Sequence, residues 1–457
     1  FPSQVEVKKA QTVRLRDQDG YFTEPLSLYL TEGEHDLALV GIKEPIKILA
    51  MSFEPSIETP SYEEYLAKVR EEDPNVIVKS AIPEIEAEDA SFKSSPSLYP
   101  LNDRTSPKTT PYHPTYVRLN SIGGAAWDKS GDWLSWTFDV PESGLYSLAI
   151  RYRQDINTGL PSTRKLWLNG EVPFEEAKHI TFNYDTAWRV IEPSDEDGQP
   201  YLFYLEEGSN ELRFEVTLDR FAELIYEVEE SSTNLNDLAQ DIVVITGSTP
   251  DPFRDYQLTE RLPHLIPGLR AERDRLSEIV QAMHDIAGGR SDKTATIEKA
   301  ILQIDDLIEK PREIAKKLTS LQSNITSLGD WALNVKSQSL TLDRMRFKGT
   351  DDPLPEEDGN FAENVTHEAK AFMGSFTNDP SRVSAGGGSG DAPDLTVWVS
   401  TGRDQMDVIR RLLNEKFLSD SRVNLRLVSP AVALSATAAG RGPDVLIQTE
   451  DRKSTRL

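Results

Sequence analysis

Few residues of this chain have the type and spacing to do chemistry. Glu86, Glu88 and Asp89 lie together in IPEIEAEDA. On a strand, Glu86 and Glu88 project from one face, and hard oxygen donors so placed suit a structural Ca2+; the alternative is an exposed acidic strand end. Trp127, Trp133 and Trp136 fall within ten positions. An exposed indole offers a platform for a sugar ring, whereas a buried one fills a core. Trp136 shares its alternation with Leu134 and Phe138 and reads as core. Trp133 points the other way and Trp127 follows Gly123 and Gly124, so these two are the platform candidates. Arg151, Arg153 and Asp155, on the next strand, would supply polar contacts to the same ligand or pair with one another at the surface. Far along the chain, Ser400, Thr401, Gly402, Arg403, Asp404 and Gln405 join a predicted strand to a predicted helix. Open α/β folds bind ligands at such junctions, and helix capping is the plainer role for the same residues.

Composition narrows the chemistry further. With 76 acidic and 50 basic residues among 457, the net charge of −26 argues against a nucleic-acid partner. There is no cysteine, so disulfides, thiolate metal sites and a cysteine nucleophile are excluded. The six histidines are scattered, and neither HExxH, GxSxG nor a glycine-rich phosphate loop occurs. The expectation is a protein that is not an enzyme. No apolar run is long enough to span a bilayer, and the opening FPSQVEVKKA carries neither an initiator Met nor a signal peptide.

The elements that must position these residues centre on GDWLSWTFDVPESGLYSLAIRYR, Gly131 to Arg153, whose period-two alternation around a Pro/Gly turn predicts a β-hairpin. Strands are expected around Ile85, Thr115 to Leu119, Trp133 to Val140, Tyr146 to Tyr152, Lys165 to Leu168, Tyr201 to Leu205, Glu211 to Val216 and Glu223 to Val228, which together suit a β-sandwich. DGYFTEPLSLYLTEGEHDLAL from Asp19 returns as DGQPYLFYLEEGSNELRF from Asp197, an internal repeat that pairs Leu30 with Leu205 and Leu37 with Leu212. Apolar residues at helical spacing predict helices over 267–286, 297–308 and 314–328. A Gly/Ser/Asp-rich stretch follows, then the order strand, helix, strand, helix, strand.

The fold expected is multidomain. Residues 1–55 form the C-terminal part of a truncated β-sandwich, 56–80 a helical connector, and 81–230 a complete jelly-roll sandwich. Residues 231–347 form a helical bundle spacer and 348–392 a flexible linker. Residues 393–450 begin an α/β domain, and 451–457, DRKSTRL, read as an adapter-derived tail.

TVWVSTGRDQMDVIRRLLNEKF, VNLRLV and AGRGPDV resemble the start of extracellular solute-binding proteins of sugar ABC importers. NDRTSPKTTPYHPTYVRLNSIGG, IVVITGSTPDPFRDY and SNITSLGDWAL are similar to the long N-terminal extensions of large, Paenibacillus-like Gram-positive members, which carry galactose-binding-like jelly rolls. The resemblance implies a periplasmic-binding-protein-like α/β domain truncated with the rest of the chain at both ends. It also implies an extracellular, cell-surface location, held to the membrane only by a lipid anchor outside this fragment. The partners implied are an oligo- or polysaccharide and ABC permease subunits. In calcium-binding jelly rolls an acid near the last strand completes the site; in FAELIYEVEE the register puts Leu224 there, with Glu223 beside it. Two other functions fit the same pieces: an accessory carbohydrate-binding region of a polysaccharide-degrading enzyme, and a structural surface spacer.

Overall fold

The computed structural model describes residues 14–17, 19–41, 47–55, 58–111, 119–287, 289 and 292–359, and only short pieces after residue 359. Helix α1 (Tyr62–Glu72) starts at a capping box in which Ser61 and Glu64 satisfy each other's backbone amides. The sandwich follows as β1 (Ile85–Glu86), β2 (Phe92–Lys93), β3 (Pro100–Leu101), β4 (Ser121–Gly124), β5 (Trp133–Val140), β6 (Gly144–Gln154), β7 (Ser162–Leu168), β8 (Ile180–Phe182), β9 (Asp185–Ile191), β10 (Leu202–Leu205) and β11 (Gly208–Thr217). Its last strand, β12 (Leu340–Lys348), arrives more than a hundred residues later.

Two antiparallel sheets result. One runs β10-β6-β12-β4-β3, with β9 also on β6 and β1 on β12; the other runs β2-β5-β11-β7-β8. The predicted hairpin is therefore split, β5 lying in one sheet and β6 in the other. Leu134, Trp136, Leu148, Ile150, Phe203, Phe214 and Phe347 fill the core between them. α1 closes one edge: the Tyr62 and Tyr65 hydroxyls accept from the backbone N–H groups of Leu202 and Tyr204, leaving fewer free strand donors on β10.

The helical bundle is an insertion between β11 and β12. It comprises α2 (Phe221–Thr246), the short α3 (Leu258–Arg261), α4 (Leu265–Ala287), α5 (Ala295–Glu309) and α6 (Leu318–Val335), around a separate core that includes Ile225, Leu235, Leu276, Ile304 and Leu328. Two sequence-based boundaries are corrected here. The strand expected at Glu223 to Val228 is helical, because Phe221, Ile225, Val228, Leu235, Ala239 and Ile242 repeat at three, four and seven and bury one stripe. The sandwich does not end at 230, nor the helical segment at 347. β12 pairs with β6, β4 and β1 inside the sheet, where Leu340, Leu342, Met345 and Phe347 are buried. Gly123 is required at this seam: its φ is +108°, and a Cβ there would lie 2.2 Å from the Leu340 carbonyl oxygen.

The internal repeat extends to β12. ILAMSF at Ile48 to Phe53 matches LDRMRF at Leu342 to Phe347, so the first copy runs on to its last strand where the second carries the bundle. The strands expected within 1–55 are not formed among the described residues: apart from an isolated bridge between Arg16 and Pro25, these run as unpaired coil. Leu30 and Leu37 are each 51% exposed, whereas their counterparts Leu205 and Leu212 are fully buried. The difference is one of partners, since an apolar face is buried only by an opposing sheet.

The start of the expected linker is also packed. Asp352 accepts hydrogen bonds from the backbone of Ala81 (2.7 Å) and Gly349 (2.9 Å), and the Glu357 carbonyl accepts from Arg151. Further on, β13 (Arg382–Val383) pairs antiparallel with β15 (Asn424–Val428), while β14 (Asp394–Val399) pairs in parallel with both β15 and β16 (Val445–Ile447). The expected helices between them, the Ser400–Gln405 loop, the strand expected at Thr115 to Leu119 for most of its length, and the 451–457 tail lie outside the described residues. Among the described residues no helix is long and apolar enough to cross a membrane.

Candidate functional site

The carboxylate site is built where β1 meets β12. Glu86 stands opposite Arg344 in the antiparallel register. Glu88 does not continue the strand. It lies in a 3-10 turn, Ala87–Asp89, so the two side chains are set by a turn and not by a shared strand face. The acid whose charge acts on Glu86 is not near Leu224 but is Asp343, on β12. A register shift between Leu342 and Arg344 places it there, and such a bulge re-aims a side chain. Asp343 is fully buried and paired to the equally buried Arg151, Nη1 to Oδ2, at 2.6 Å. Thr110 ties the cluster together: its Oγ1 donates to Glu86 at 3.2 Å and its N–H to Asp343 Oδ1 at 3.3 Å.

Burial raises the proton affinity of all three carboxylates. Burial, with the Asp343 charge adding to it, pushes Glu86 up to about 7. Burial pushes Glu88 up to about 9 and Asp343 up to about 6, the latter despite Arg151. Glu88 Oε2 is buried without a hydrogen-bond partner. The three side chains offer only oxygen donors, the ligand type that hard cations take. Among the described residues, though, no three acidic or histidine side chains are already gathered around one point. The signal that reveals Asp343 is the repeat, in which Leu49 holds the equivalent position and Met51 and Phe53 fix the alignment to Met345 and Phe347.

The aromatic candidates separate. Trp127 is corrected: it is fully buried, and the Arg164 guanidinium lies 4.1 Å from its ring centroid. Arg151 is likewise interior and not a surface contact residue. It stacks 4.7 Å from the buried Trp188, with Arg153 5.0 Å from the same ring. Arg153 pairs with Asp103 at 2.8 Å and with Asp155 at 3.2 Å. Trp133 is half-buried on the outer face of the five-stranded sheet. Arg213 lies 4.3 Å from its ring and 5.2 Å from Trp167, a neighbour that sequence reasoning did not single out. The buried Glu215 accepts from Trp167 Nε1 and from Arg16 Nη1, each at 2.9 Å, so the N-terminal segment crosses part of this face.

Residues 223–335 match the model of the bacterial solute-binding protein four-helix bundle domain. The inserted helices are thus similar to the four-helix bundle domain of bacterial solute-binding proteins. No curated protein matches the chain. Among solved structures, a cycloisomaltooligosaccharide glucanotransferase of Paenibacillus sp., complexed with cycloisomaltoheptaose, is similar at 20% identity and a TM-score of 0.22, over 35% of this chain and 21% of that one. A family 35 carbohydrate-binding module from Clostridium thermocellum is similar at 18% identity and 0.21, over 30% of this chain and 87% of that one. A CBM35 from Paenibacillus barcinonensis is similar at 14% and 0.20, over 30% and 88%. This chain therefore spans about a fifth of the glucanotransferase.

Proposed function

We propose that the chain is part of a non-catalytic, extracellular saccharide-capture protein that delivers an oligo- or polysaccharide to the permease subunits of an ABC sugar importer. The observation that carries this reading is the solute-binding-protein bundle at 223–335. The parallel β15-β14-β16 order supports it, since open α/β domains begin in this way. On this reading the α/β domain takes the transported solute through Ser400 to Gln405, and the sandwich holds polymer near the cell surface. Trp133 is its proposed contact residue, since Arg153, paired with Asp155, lies on the outer face of the opposite sheet, and a lipid anchor elsewhere in the protein holds it at the membrane. Glu86, Glu88 and Asp343 would hold a structural Ca2+, whose charge would offset their mutual repulsion.

The test is isothermal titration of the protein with oligosaccharides, followed by product analysis of the same mixtures. Binding with every saccharide recovered intact supports capture. Chain shortening would transfer the protein to the enzyme reading, and absence of binding to all probes would leave a structural spacer.

A further inference from the structure

The sandwich has two ends, and the bundle closes one of them. At the Thr217 end of β11 the chain leaves for α2, and it returns through the wholly buried Gln338. There Ser162 donates to the Ser339 carbonyl at 2.9 Å, Ser337 to Asp128 Oδ2 at 2.8 Å, and the Gln338 N–H to the Asp128 carbonyl at 2.8 Å. These internal bonds leave that end sealed by the polar groups that loops would otherwise offer a ligand.

The opposite end is open. A cleft of about 570 Å³ lies beside the Gly208 end of β11, about 30 Å from the bundle junction by the rise of a ten-residue strand. Tyr204, half-exposed on β10, contributes the aromatic wall. Asn169 is held by a two-residue Asn-Gly turn, φ +51° and +87°, in which Leu168 and Glu171 exchange backbone hydrogen bonds. Its amide is oriented by two more bonds, accepting from the Glu211 N–H at 2.8 Å and donating to Asn210 Oδ1 at 2.9 Å. The buried Asn210 is in turn fixed by the Glu206 carbonyl at 2.7 Å. The Glu206 and Glu211 carboxylates line this cleft and, among the described residues, have no hydrogen-bond or ion-pair partner.

An aromatic wall, a pre-oriented amide and two unengaged carboxylates are the groups that recognise vicinal hydroxyls. We propose that this cleft is a saccharide subsite. It takes a hydroxyl-rich pyranoside whose ring lies against Tyr204 and whose hydroxyls donate to Glu206 and Glu211 and pair with Asn169. The inference rests on the saccharide-capture reading and locates it on the sandwich.

The test is isothermal titration of the full chain with maltoheptaose, isomaltoheptaose, xylohexaose, mannohexaose and chitohexaose. For whichever probe binds, Tyr204→Ala weakens affinity about tenfold or more, and Glu206→Gln and Glu211→Gln each weaken it several-fold. Glu227→Gln, on the exposed face of α2, leaves it unchanged. The carboxylate variants keep the backbone and side-chain shape, so they remain decisive if Tyr204→Ala fails to fold. Binding that survives both carboxylate variants at wild-type strength overturns the cleft and leaves capture standing at another site. No binding of any probe by the wild-type chain overturns both.

Discussion

If β12 is the closing strand of the sandwich, a chain ending at Lys336 cannot fold that domain, although it retains the strands from β1 to β11. The magnitude follows from burial. Leu340, Leu342, Met345 and Phe347 are each at most 1% exposed. At about 1.5–3 kcal/mol for each fully buried apolar side chain, their loss removes about 6–12 kcal/mol, as much as the whole stability of a typical domain. The same cut strips β6, β4 and β1 of their ladder partner and leaves Arg151 buried without Asp343. A chain ending at Gly359 keeps all of these contacts. Near-UV circular dichroism, which reports the buried Trp127, Trp136 and Trp188, and limited proteolysis distinguish the two. The longer chain keeps the full tryptophan signal and a protected core; the shorter one loses the sandwich's share of that signal and its protection, while retaining the bundle's helical far-UV signal and the contribution of the buried Trp331. A chain ending at Lys336 with wild-type near-UV signal and protease resistance would refute the insertion topology.

Arg151→Met leaves the buried Asp343 with only the longer Arg344 ion pair at 3.6 Å and lowers stability by about 3 kcal/mol, whereas Arg151→Met with Asp343→Leu recovers most of the loss; urea midpoints measure both. The raised carboxylates make stability depend on pH. Because Glu86, Glu88 and Asp343 hold their protons in the folded state to about 7, 9 and 6, their contribution is complete below the ordinary carboxylate range and is lost as pH rises through those values. Without metal, the urea midpoint of the sandwich therefore falls between acid and mildly alkaline pH, and a midpoint that rises over that window contradicts the assignment. Calcium at a hundredfold excess over its dissociation constant restores about 2.7 kcal/mol at alkaline pH, and Glu88→Gln removes that response; a shift in melting temperature on adding the ion reads it. Ser61→Ala breaks the capping box of α1 and costs about 1 kcal/mol, read from the same urea curves.

The sandwich core was legible because alternation needs only local sequence. Leu134, Trp136, Leu148 and Phe214 announce their face by period two, and the bundle's Ile304 and Leu328 announce theirs by steps of three and four. Chain order misled where topology is discontinuous. Eight expected strands followed by helices read as a finished domain, and an acid near the last strand was sought about seven residues beyond β11, whereas Asp343 lies beyond the whole insertion. The repeat held the correction, since ILAMSF follows its own β11 counterpart without a bundle between. Charge pairing was the second thing hidden. Trp127 sits in a loop after two glycines, as an exposed platform would, but Arg164 from β7 folds over it, and no local pattern encodes that contact. Arg151 follows the alternation of a surface residue and is buried by the 102–111 loop and the 349–359 strap, which pack over the sheet's outer side.

Saccharide capture without cleavage is tested most directly by native electrophoresis of the full chain through gels containing dextran, xylan, mannan or galactan, with reducing ends assayed in the same gels afterwards. The account predicts retardation in at least one polysaccharide, diminished by Glu211→Gln, with no increase in reducing ends. Unretarded migration in all four, or new reducing ends wherever the protein has run, would contradict it.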